Sequence, residues 1–318
     1  MECRICGAID EHRTYTAKEM MLGMRDEHRY FECKQCGCLQ IVTIPPDLAR
    51  YYPADYYSYS DAEKSVNPLK KALIRMRDTW AATRHCQIGR LLHFVSPNDK
   101  LTSLRPLNLT KGMRVLDVGC GAGHLLLSLY EAGFTQVLGI DPFNREDIAY
   151  RNGLRIEKRD IFSETAQWDV VMFHHSFEHL VEQQATLQQA YDILKPGGVV
   201  LLRVPTVSSF AWQHYGVHWV QLDAPRHLYL HSLQSIQTLA KQTGFTLEQT
   251  LYDSNAFQFW GSEQYEQNIP LQDPRSYAVA PQNAPFDAQR IRDFATRANE
   301  LNAAQQGDQA AFYLRKPG

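Results

Sequence analysis

The fold of this chain is decided by the stretch Val115-Leu-Asp-Val-Gly-Cys-Gly-Ala-Gly-His124. Its first four residues are typical of a buried strand, and the glycines at 119, 121 and 123 form a G-x-G-x-G turn that leads into a helix. Glycine backbone can approach a ligand closely because it has no Cβ, and the free N–H groups at a helix N-terminus attract electron-rich groups. The stretch therefore predicts a cradle for a cofactor.

Two carboxylates indicate which cofactor the cradle would hold. Asp117 lies in the strand two residues before the first glycine, and Asp141 ends the next predicted strand, where an acidic residue can accept both ribose hydroxyls. A dinucleotide fingerprint would place its third glycine at position 124, which is His124. This acidic flank favours a zwitterionic sulfonium ligand over a diphosphate. A nicotinamide cofactor and a Rossmann-like domain with an empty cradle are the alternatives.

Five segments within about residues 110–205 resemble the class I S-adenosylmethionine (SAM) methyltransferases: VLDVGCGAGHLLLSL, VLGIDP, RDIF, WDVVMFHHSFEHL and LKPGGVVLLRVP, in family order. The resemblance implies a Rossmann-like, seven-stranded α/β domain that binds SAM and transfers its methyl group. It implies cofactor contacts at Asp117, Gly119, Cys120, Gly121, Gly123, Asp141, Pro142, Asp160, Ile161 and His174, with Asp160 accepting from the adenine amine.

Alternating strand and helix patterns predict a parallel sheet that is covered on both faces. We expect strands at 114–118, 136–140, 154–158, 168–173, 199–204, 246–252 and 310–314, and helices at 123–132, 145–151, 183–193, 232–243 and 286–303. Residues 65–95 also have helical spacing. The expected division is a small zinc-binding module at 1–42, a tyrosine-rich linker with a helical segment at 43–110, and the methyltransferase domain at 111–318.

Two cysteine pairs indicate a metal site near the start of the chain. Cys3 and Cys6 form one C-x-x-C-G motif, and Cys33 and Cys36 form a second. Four thiolates hold Zn²⁺ in a closed tetrahedral site with no open position, so we expect a structural role as scaffold or lid. The seven cysteines are odd in number and clustered, which favours reduced thiols in the cytoplasm over disulfides. Redox-active or free thiols are the alternative.

Composition excludes several classes of function. The 318 residues carry a net charge of -2, and no apolar run is long enough to span a bilayer. The basic stretch Lys70–Arg90 is expected to be a solvated helix face, so a nucleic-acid partner is not expected. We expect a cytoplasmic protein whose partner is a small-molecule or glycan acceptor and which needs no membrane. The sequence carries no signal for its oligomeric state.

Ionisable residues follow the fourth and fifth strands of the predicted domain. His175, Glu178 and His179 follow strand four, and His227 follows strand five. Methyl transfer to a hydroxyl requires a proton acceptor, so these four are predicted catalytic residues, with a histidine as general base. Small-RNA 2′-O-methylases and ubiquinone-pathway enzymes are similar here, but they carry Glu-x-x-Glu-His and bind Mg²⁺. Histidine at the first position argues against Mg²⁺, because imidazole is a poor ligand for a hard ion.

The acceptor side carries further candidates: Tyr56, Tyr57, Trp219 and Arg226 are predicted to bind substrate. Arg226 could anchor an anionic acceptor or form a structural salt bridge. The cysteine module, tyrosine-rich linker and core also resemble bacterial deoxysugar C-methyltransferases and relatives in surface-glycan or secondary-metabolite pathways. Those enzymes usually add a further domain, so we expect O-methylation. The alternatives are a sugar C-methyltransferase and a non-catalytic scaffold that docks a protein or nucleic acid through its zinc module.

Overall fold

The computed structural model describes residues 1–52 and 67–318, which form two β-sheets and eight α-helices. The strands are β1 (Arg13–Lys18), β2 (Glu27–Glu32), β3 (Leu39–Ile41), β4 (Val115–Val118), β5 (Val137–Ile140), β6 (Ile148–Ala149), β7 (Arg155–Glu157), β8 (Trp168–His174), β9 (Leu194–Pro205), β10 (Tyr229–Leu230), β11 (Thr246–Tyr252) and β12 (Gln309–Arg315). The helices are α1 (Pro68–Thr83), α2 (Gln87–Val95), α3 (His124–Glu131), α4 (Gln183–Ile193), α5 (Phe210–Tyr215), α6 (Leu233–Gln242), α7 (Phe257–Glu266) and α8 (Ala288–Ala303).

The larger sheet has the strand order β11-β12-β9-β8-β4-β5-β7-β6. Strands β9, β8, β4, β5 and β7 are parallel to one another, and β12 lies antiparallel between β9 and β11. This arrangement confirms the predicted Rossmann-like α/β class. The sheet has eight strands rather than seven because the two-residue strand β6 adds to its edge, antiparallel to β7.

The central strands alternate their side chains between two hydrophobic cores, one on each face of the sheet. In β8, Val171 and Phe173 pack with residues of α4, α6 and the N-terminal sheet. Val170 and Met172 point the other way and pack with residues of α1, α3 and the 3-10 segment Asp99–Leu107. Both faces of the strands are therefore buried, which explains their nearly continuous apolar sequences.

The helix predicted at 145–151 is wrong. Those residues form a loop and the short strand β6, which returns through a turn into β7. Asn152 and Gly153 occupy that turn; Gly153 has φ +99°, and the Tyr150 N–H donates to the Leu154 carbonyl at 2.9 Å. Asn-Gly is a strong hairpin signal that outweighs the weak helical spacing before it.

The smaller sheet has the order β1-β2-β3-β10, so its fourth strand comes from a distant part of the sequence. Tyr229 and Leu230 of β10 pair antiparallel with Gln40 and Leu39 of β3. The predicted N-terminal module is therefore completed by the segment that follows β9. None of the helices in the described ranges combines the length and apolarity needed to cross a bilayer.

Candidate active site

The glycine turn after β4 has left-handed backbone at all three glycines. The φ angles are +73° at Gly119, +56° at Gly121 and +76° at Gly123, a region that favours glycine. A Cβ at Gly119 would overlap Ser176, and one at Gly123 would overlap Ile156. At these two positions glycine is needed for packing inside the protein, whereas the sequence argument attributed it to ligand approach.

The two predicted carboxylates, Asp117 and Asp141, differ in the hydrogen bonds that they accept. Asp141 accepts hydrogen bonds from the Gly121 and Phe143 N–H groups, both at 2.8 Å, and thereby ties the end of β5 to the cradle. Burial raises the pKa of Asp141, and these two N–H donors oppose the increase. Asp117 is 2% exposed, and its Oδ1 has no hydrogen-bond partner among the described residues. Burial raises the pKa of Asp117 well above its usual value, and the carboxylate of Asp141 raises it further.

The unpartnered oxygen of Asp117 is the observation that tests whether SAM fits this edge. Buried polar atoms in proteins nearly always have a partner, and an unpaired one is costly. A cofactor that carries cationic and hydrogen-bond donor groups would satisfy Asp117, and a diphosphate would not. The donor and acceptor chemistry of the cradle therefore fits SAM.

Three predicted cofactor contacts lie at neighbouring strand ends. Pro142 is exposed directly after Asp141, and Ile161 is buried in the 3-10 turn after β7. Asp160 is exposed, and its carboxylate caps that turn by accepting from the Ser163 N–H at 3.2 Å. Parallel strands bring these loops to one carboxyl edge of the sheet.

Cys120 and His174 also lie at this edge. The Cys120 thiol is half-buried, and burial raises its pKa well above the usual value. His174 ends β8, and its Nε2 lies 3.4 Å from the Ser103 hydroxyl. Burial lowers the pKa of His174 well below the usual value, so the ring is neutral near pH 7.

The histidine cluster surrounds a buried carboxylate. Glu178 has no exposed surface, and within the described residues neither of its oxygens has a hydrogen-bond partner. His175 Nδ1 lies 3.5 Å and His227 Nε2 lies 3.9 Å from Oε1. His175 has φ +57°, and its Nε2 contacts the Arg203 guanidinium. Burial raises the pKa of Glu178, but the imidazoles of His175, His179 and His227 outweigh it and hold that pKa at about 2.

Two of these imidazoles are oriented by backbone carbonyls. His179 Nδ1 donates to the Arg226 carbonyl at 2.9 Å, and His227 Nδ1 donates to the Gln221 carbonyl at 2.7 Å. A carbonyl can only accept, so the neutral rings carry their proton on Nδ1 and keep a lone pair on Nε2. The ligand atoms of Glu178, His179 and His227 lie within 4.8 Å of one another. This arrangement can accept a proton or bind a metal ion.

Arg226 and Trp219 lie inside the protein. The Arg226 guanidinium has no exposed surface and donates to Glu19 at 3.1 Å and to Asp223 at 2.5 Å. Trp219 is also fully buried, and its Nε1 donates to Asp308 at 3.0 Å. Because these carboxylates satisfy both donors, the structure assigns the two side chains to internal packing rather than to acceptor binding. For Arg226 the salt-bridge alternative is the one observed.

The predicted tyrosine contacts Tyr56 and Tyr57 lie outside the described residues. A neighbouring tyrosine that the sequence did not single out reaches the cluster: the Tyr52 hydroxyl lies 3.2 Å from His179 Nδ1. Arg203 was also missed, since nothing in the pattern of β9 distinguishes it from an exposed strand residue. A signal for Tyr52 was present in the tyrosine-rich composition of the linker.

The four predicted metal-binding cysteines converge. Cys3 and Cys36 have their sulfurs 3.6 Å apart, as do Cys6 and Cys33. All four sulfurs lie within 4.8 Å of one another. The glycine after each pair has positive φ, and its N–H donates to the carbonyl of the first cysteine of that pair at 2.8 Å. Four converging thiols on two such turns are a donor set that fits Zn²⁺.

Comparison with known proteins identifies the family. A model of the methyltransferase domain matches residues 80–250, more than half of the chain. The ubiquinone biosynthesis O-methyltransferase of Methylocella silvestris is 30% identical over 199 residues, which cover 57% of this chain and 72% of that protein. The protein of the same name from Leptothrix cholodnii is 31% identical over 179 residues, which cover 51% of this chain and 76% of that protein.

Among solved structures, a mycolic acid cyclopropane synthase complexed with SAH and CTAB is similar, with a TM-score of 0.49 and 20% sequence identity. The match covers 86% of this chain and 99% of that one. The parallel sheet, the glycine cradle with its two carboxylates and the domain match agree with one another. The chain therefore belongs to the class I, SAM-dependent methyltransferases.

Proposed function

We propose that this protein transfers the methyl group of SAM to a hydroxyl of a small-molecule or carbohydrate-like acceptor. The observation that carries the proposal is a proton-accepting cluster beside the cofactor cradle. Ser176 links the two, because it packs against Gly119 and its hydroxyl donates to the Val118 carbonyl at 2.5 Å. The relatives in Methylocella and Leptothrix are named O-methyltransferases, which favours a hydroxyl over the carbon acceptor of a sugar C-methyltransferase.

On the cofactor side, two carboxylates would hold SAM in place. Asp141 would accept from the ribose hydroxyls, since a carboxylate oxygen that already accepts from an N–H can accept a second hydrogen bond. Asp117 would accept from a cationic or donor group of the cofactor. The remaining contacts that we propose are backbone and side-chain atoms at Gly119, Cys120, Gly121, Gly123, Pro142, Asp160, Ile161 and His174.

On the acceptor side, SAM supplies an electrophilic methyl group and the protein must remove the hydroxyl proton. His227 Nε2 lies 3.9 Å from Glu178 and 3.8 Å from Asp223, and we propose His227 as the general base. Glu178 is ionised at neutral pH because its pKa is about 2. Its negative charge would stabilise the imidazolium that forms when His227 takes the proton.

The proposed base is tested by turnover. We expect His227→Ala to lower kcat by roughly 10²–10⁴-fold while the Kd for SAM stays within about threefold of the parent value, because general-base catalysis contributes about that factor. Formation of S-adenosylhomocysteine is measured over phenols, nucleotide sugars and glycans. His214→Ala is the matched control, since His214 is exposed and stacks on Phe210.

Three outcomes would contradict parts of the proposal. If His227→Ala turns over at the parental rate, the base is a different residue. If the product carries its new methyl on carbon, as shown by nuclear magnetic resonance, the sugar C-methyltransferase alternative is the correct one. If the protein binds SAM and methylates no acceptor class, the scaffold alternative gains support.

We further propose that Cys3, Cys6, Cys33 and Cys36 bind one structural Zn²⁺ and that the chain divides into the module at 1–42, the connector at 43–110 and the methyltransferase domain at 111–318. Four cysteine ligands leave no open position for chemistry. Thiolate ligands persist in a reducing compartment, which supports the cytoplasm.

A further inference from the structure

We propose that α1 and α2 form a docking surface for an anionic lipid membrane. The surface consists of exposed apolar residues on both helices, with lysines and arginines beside them. It shares no residue with the cofactor cradle or the histidine cluster, and its function is binding rather than chemistry. The inference therefore goes beyond the proposed methyl transfer, and each can be tested without the other.

Helix α2 has its apolar side turned toward solvent. Ile88, Leu91 and Val95 are spaced three and four positions apart, so they lie on one side of the helix. Their exposed fractions are 57%, 71% and 83%, and the neighbouring Phe94 is 88% exposed. A helix on the surface of a globular protein normally packs its apolar side against the core. In α2 this side is exposed instead, and contiguous apolar patches of this kind usually mark an interaction site.

The other side of α2 holds it against α1. A Cβ at Gly89 would lie 2.1 Å from the Met76 carbonyl oxygen, so the missing side chain allows the two helices to touch. The His93 ring packs on Trp80, with the ring centroids 4.8 Å apart. Because Gly89 and His93 fix the rotation of α2 about its axis, its apolar side cannot turn inward while these contacts persist.

Helix α1 extends the apolar surface. The spacing of Leu69, Leu73 and Trp80 places them on one side of α1, and α2 covers this side at Trp80. Leu69 is 71% exposed and Leu73 is 40% exposed. The two helices therefore present apolar side chains together, as a helix pair that lies in the boundary layer of a membrane would.

The charges of the two helices are complementary to an anionic surface. Residues 68–95 include six lysines and arginines and one acidic residue, in a chain whose net charge is -2. That acidic residue, Asp78, is 2% exposed and pairs with Arg77 at 2.8 Å. The exposed surface of α1 and α2 therefore carries cations and no carboxylate. A second copy of the chain on this surface would bring like charges together, because a symmetric dimer places the same patch on both sides.

The cations lie beside the apolar residues. Lys70 follows Leu69, and Arg90, Leu91 and Phe94 line one cleft between the helices. Within the described ranges, neither the Lys70 ammonium nor the Arg90 guanidinium has a hydrogen-bond or ion-pair partner. At a membrane, such side chains extend to the lipid phosphates while their apolar neighbours enter the acyl layer. The sequence predicted a solvated basic face without a membrane partner, and the exposed apolar residues are the observation that changes this expectation.

Vesicle flotation with the full-length protein tests the inference. We expect binding to phosphatidylcholine vesicles that contain phosphatidylglycerol, and at least roughly tenfold weaker binding to vesicles of phosphatidylcholine alone, because several cations near an anionic surface each add to the affinity. Added salt should weaken the binding, since it screens exposed charges. A parent protein that binds neither kind of vesicle, or binds both equally, would overturn the inference.

Substitutions locate the binding surface. Phe94→Ser should weaken binding to the anionic vesicles roughly tenfold or more, because the phenyl ring no longer enters the acyl layer. Val95→Ser should also weaken it, whereas Val279→Ser, which changes a valine that is 53% exposed outside α1 and α2, should bind like the parent.

The charge contribution is measured in the same way. Arg90→Gln should weaken binding to the anionic vesicles roughly fivefold, which is the typical contribution of one cation near such a surface. Arg292→Gln, on the exposed side of α8, is the matched control and should leave binding unchanged. All these side chains are exposed, and circular dichroism confirms that each variant is folded. Parental binding by both Phe94→Ser and Arg90→Gln would show that the membrane contact lies elsewhere and would overturn the inference.

Other occupants of this surface would produce different results. A parent protein that is dimeric by light scattering, becomes monomeric in Phe94→Ser and binds no vesicles would show an interface between two copies. A parent protein that binds soluble polyglutamate but no anionic vesicle would show a surface for an acidic macromolecule. Either result overturns the lipid inference. Vesicle binding by a protein that methylates no hydroxyl would support the inference and overturn the proposed function.

Discussion

Asp117 and Asp141 are neighbouring carboxylates with different states in the same cradle. Asp141 accepts two backbone hydrogen bonds, so it shapes the glycine turn in addition to the ribose contact that we propose for it. Asp117 has an oxygen with no partner in the described parts of the chain, and burial raises its pKa well above the usual value. The two residues should therefore respond differently to substitution and to pH.

Replacing Asp141 should weaken cofactor binding. In Asp141→Asn, the amide NH₂ would face one of the N–H groups that the carboxylate now accepts from, and the charged acceptor for the ribose would be lost. We expect the Kd for SAM to rise roughly 10–100-fold, since hydrogen bonds to charged groups are worth about 1.5–3 kcal/mol. Isothermal titration calorimetry measures it. Glu146→Gln, on the exposed part of the same loop, is the control, and an unchanged Kd for Asp141→Asn would refute the ribose role.

Asp117 should couple SAM binding to proton release. Its pKa is raised by burial and by the carboxylate of Asp141, so in the free protein this carboxyl keeps its proton to a higher pH than an exposed aspartate does. A cationic group of the cofactor favours the ionised form and lowers that pKa, so binding releases the proton and the Kd for SAM falls as pH rises. Calorimetry in buffers of different ionisation enthalpy measures the release. Asp117→Asn should abolish it, and binding without proton release in the parent would contradict the linkage.

At the scale of elements, the loop after β7 is held by an ion pair at its base. Arg159 donates to Glu164 at 2.7 Å, and Glu164 also accepts from the Thr165 and Ala166 N–H groups at 2.8 and 2.7 Å. The 3-10 turn that carries the proposed adenine contacts lies between Arg159 and Glu164. The shape of this part of the cofactor edge therefore depends on one buried carboxylate.

Glu164→Gln should destabilise the protein in a pH-dependent way. Burial raises the pKa of Glu164, but Arg159 and the Ala166 N–H outweigh it and lower the pKa below its usual value. A lowered folded-state pKa stabilises above the unfolded value and is lost as pH falls through the folded value. We expect a loss of roughly 1–3 kcal/mol in the free energy of unfolding at pH 7, shrinking below about pH 4.

Urea unfolding at pH 7 and near pH 3.5 measures this difference. The matched control is Glu248→Gln, which breaks the exposed Glu248–Arg315 pair and should cost under about 1 kcal/mol. Equal losses for Glu164→Gln at both pH values would contradict an ionised, stabilising Glu164.

At the scale of the whole molecule, the cysteine module packs directly against the segment that follows β9 and carries His227. The Tyr30 hydroxyl donates to the His227 carbonyl at 2.9 Å, and Glu19 pairs with Arg226 at 3.1 Å. The Ser232 hydroxyl donates to the Cys36 carbonyl. The strand pairing of β3 with β10 adds to these contacts. The position of the proposed base His227 therefore depends on the cysteine module being folded.

Loss of the proposed zinc site should therefore destabilise the entire chain. We expect Cys33→Ser to lose about one Zn²⁺ per chain by elemental analysis and to lower the unfolding temperature, with methyl transfer falling in parallel. Cys86→Ser is the control, since Cys86 is half-buried and lies at the start of α2, outside the cluster. A methyltransferase core that still unfolds at the parental temperature in Cys33→Ser would show that the module and the core are independent.

Local pattern was sufficient for most strands and helices of the core. The glycine turn, α4 at 183–193 and β11 at 246–252 lie where the sequence placed them, because each follows from a residue pattern that spans only a few neighbouring positions. Strand β9 begins at Leu194 rather than 199, so it includes Pro196, Gly197 and Gly198. Short segments such as β6 were misread because their conformation depends on a turn and a partner strand.

The order of residues was enough to predict the fold class, the two carboxylates Asp117 and Asp141 at one edge of the sheet, and the two pairs of cysteines, since each depends on contacts within a few residues or on a repeated spacing. Contacts between residues that are far apart in the sequence could not be predicted from the order of residues. Arg226 and Trp219 look like pocket residues in sequence, but Glu19 and Asp308, each more than eighty positions away, bury and satisfy them. Long-range charge pairing leaves no local periodicity, so the grouping of Glu178 with His179 and His227 emerges only when the folded sheet brings β8 and the β10 segment together.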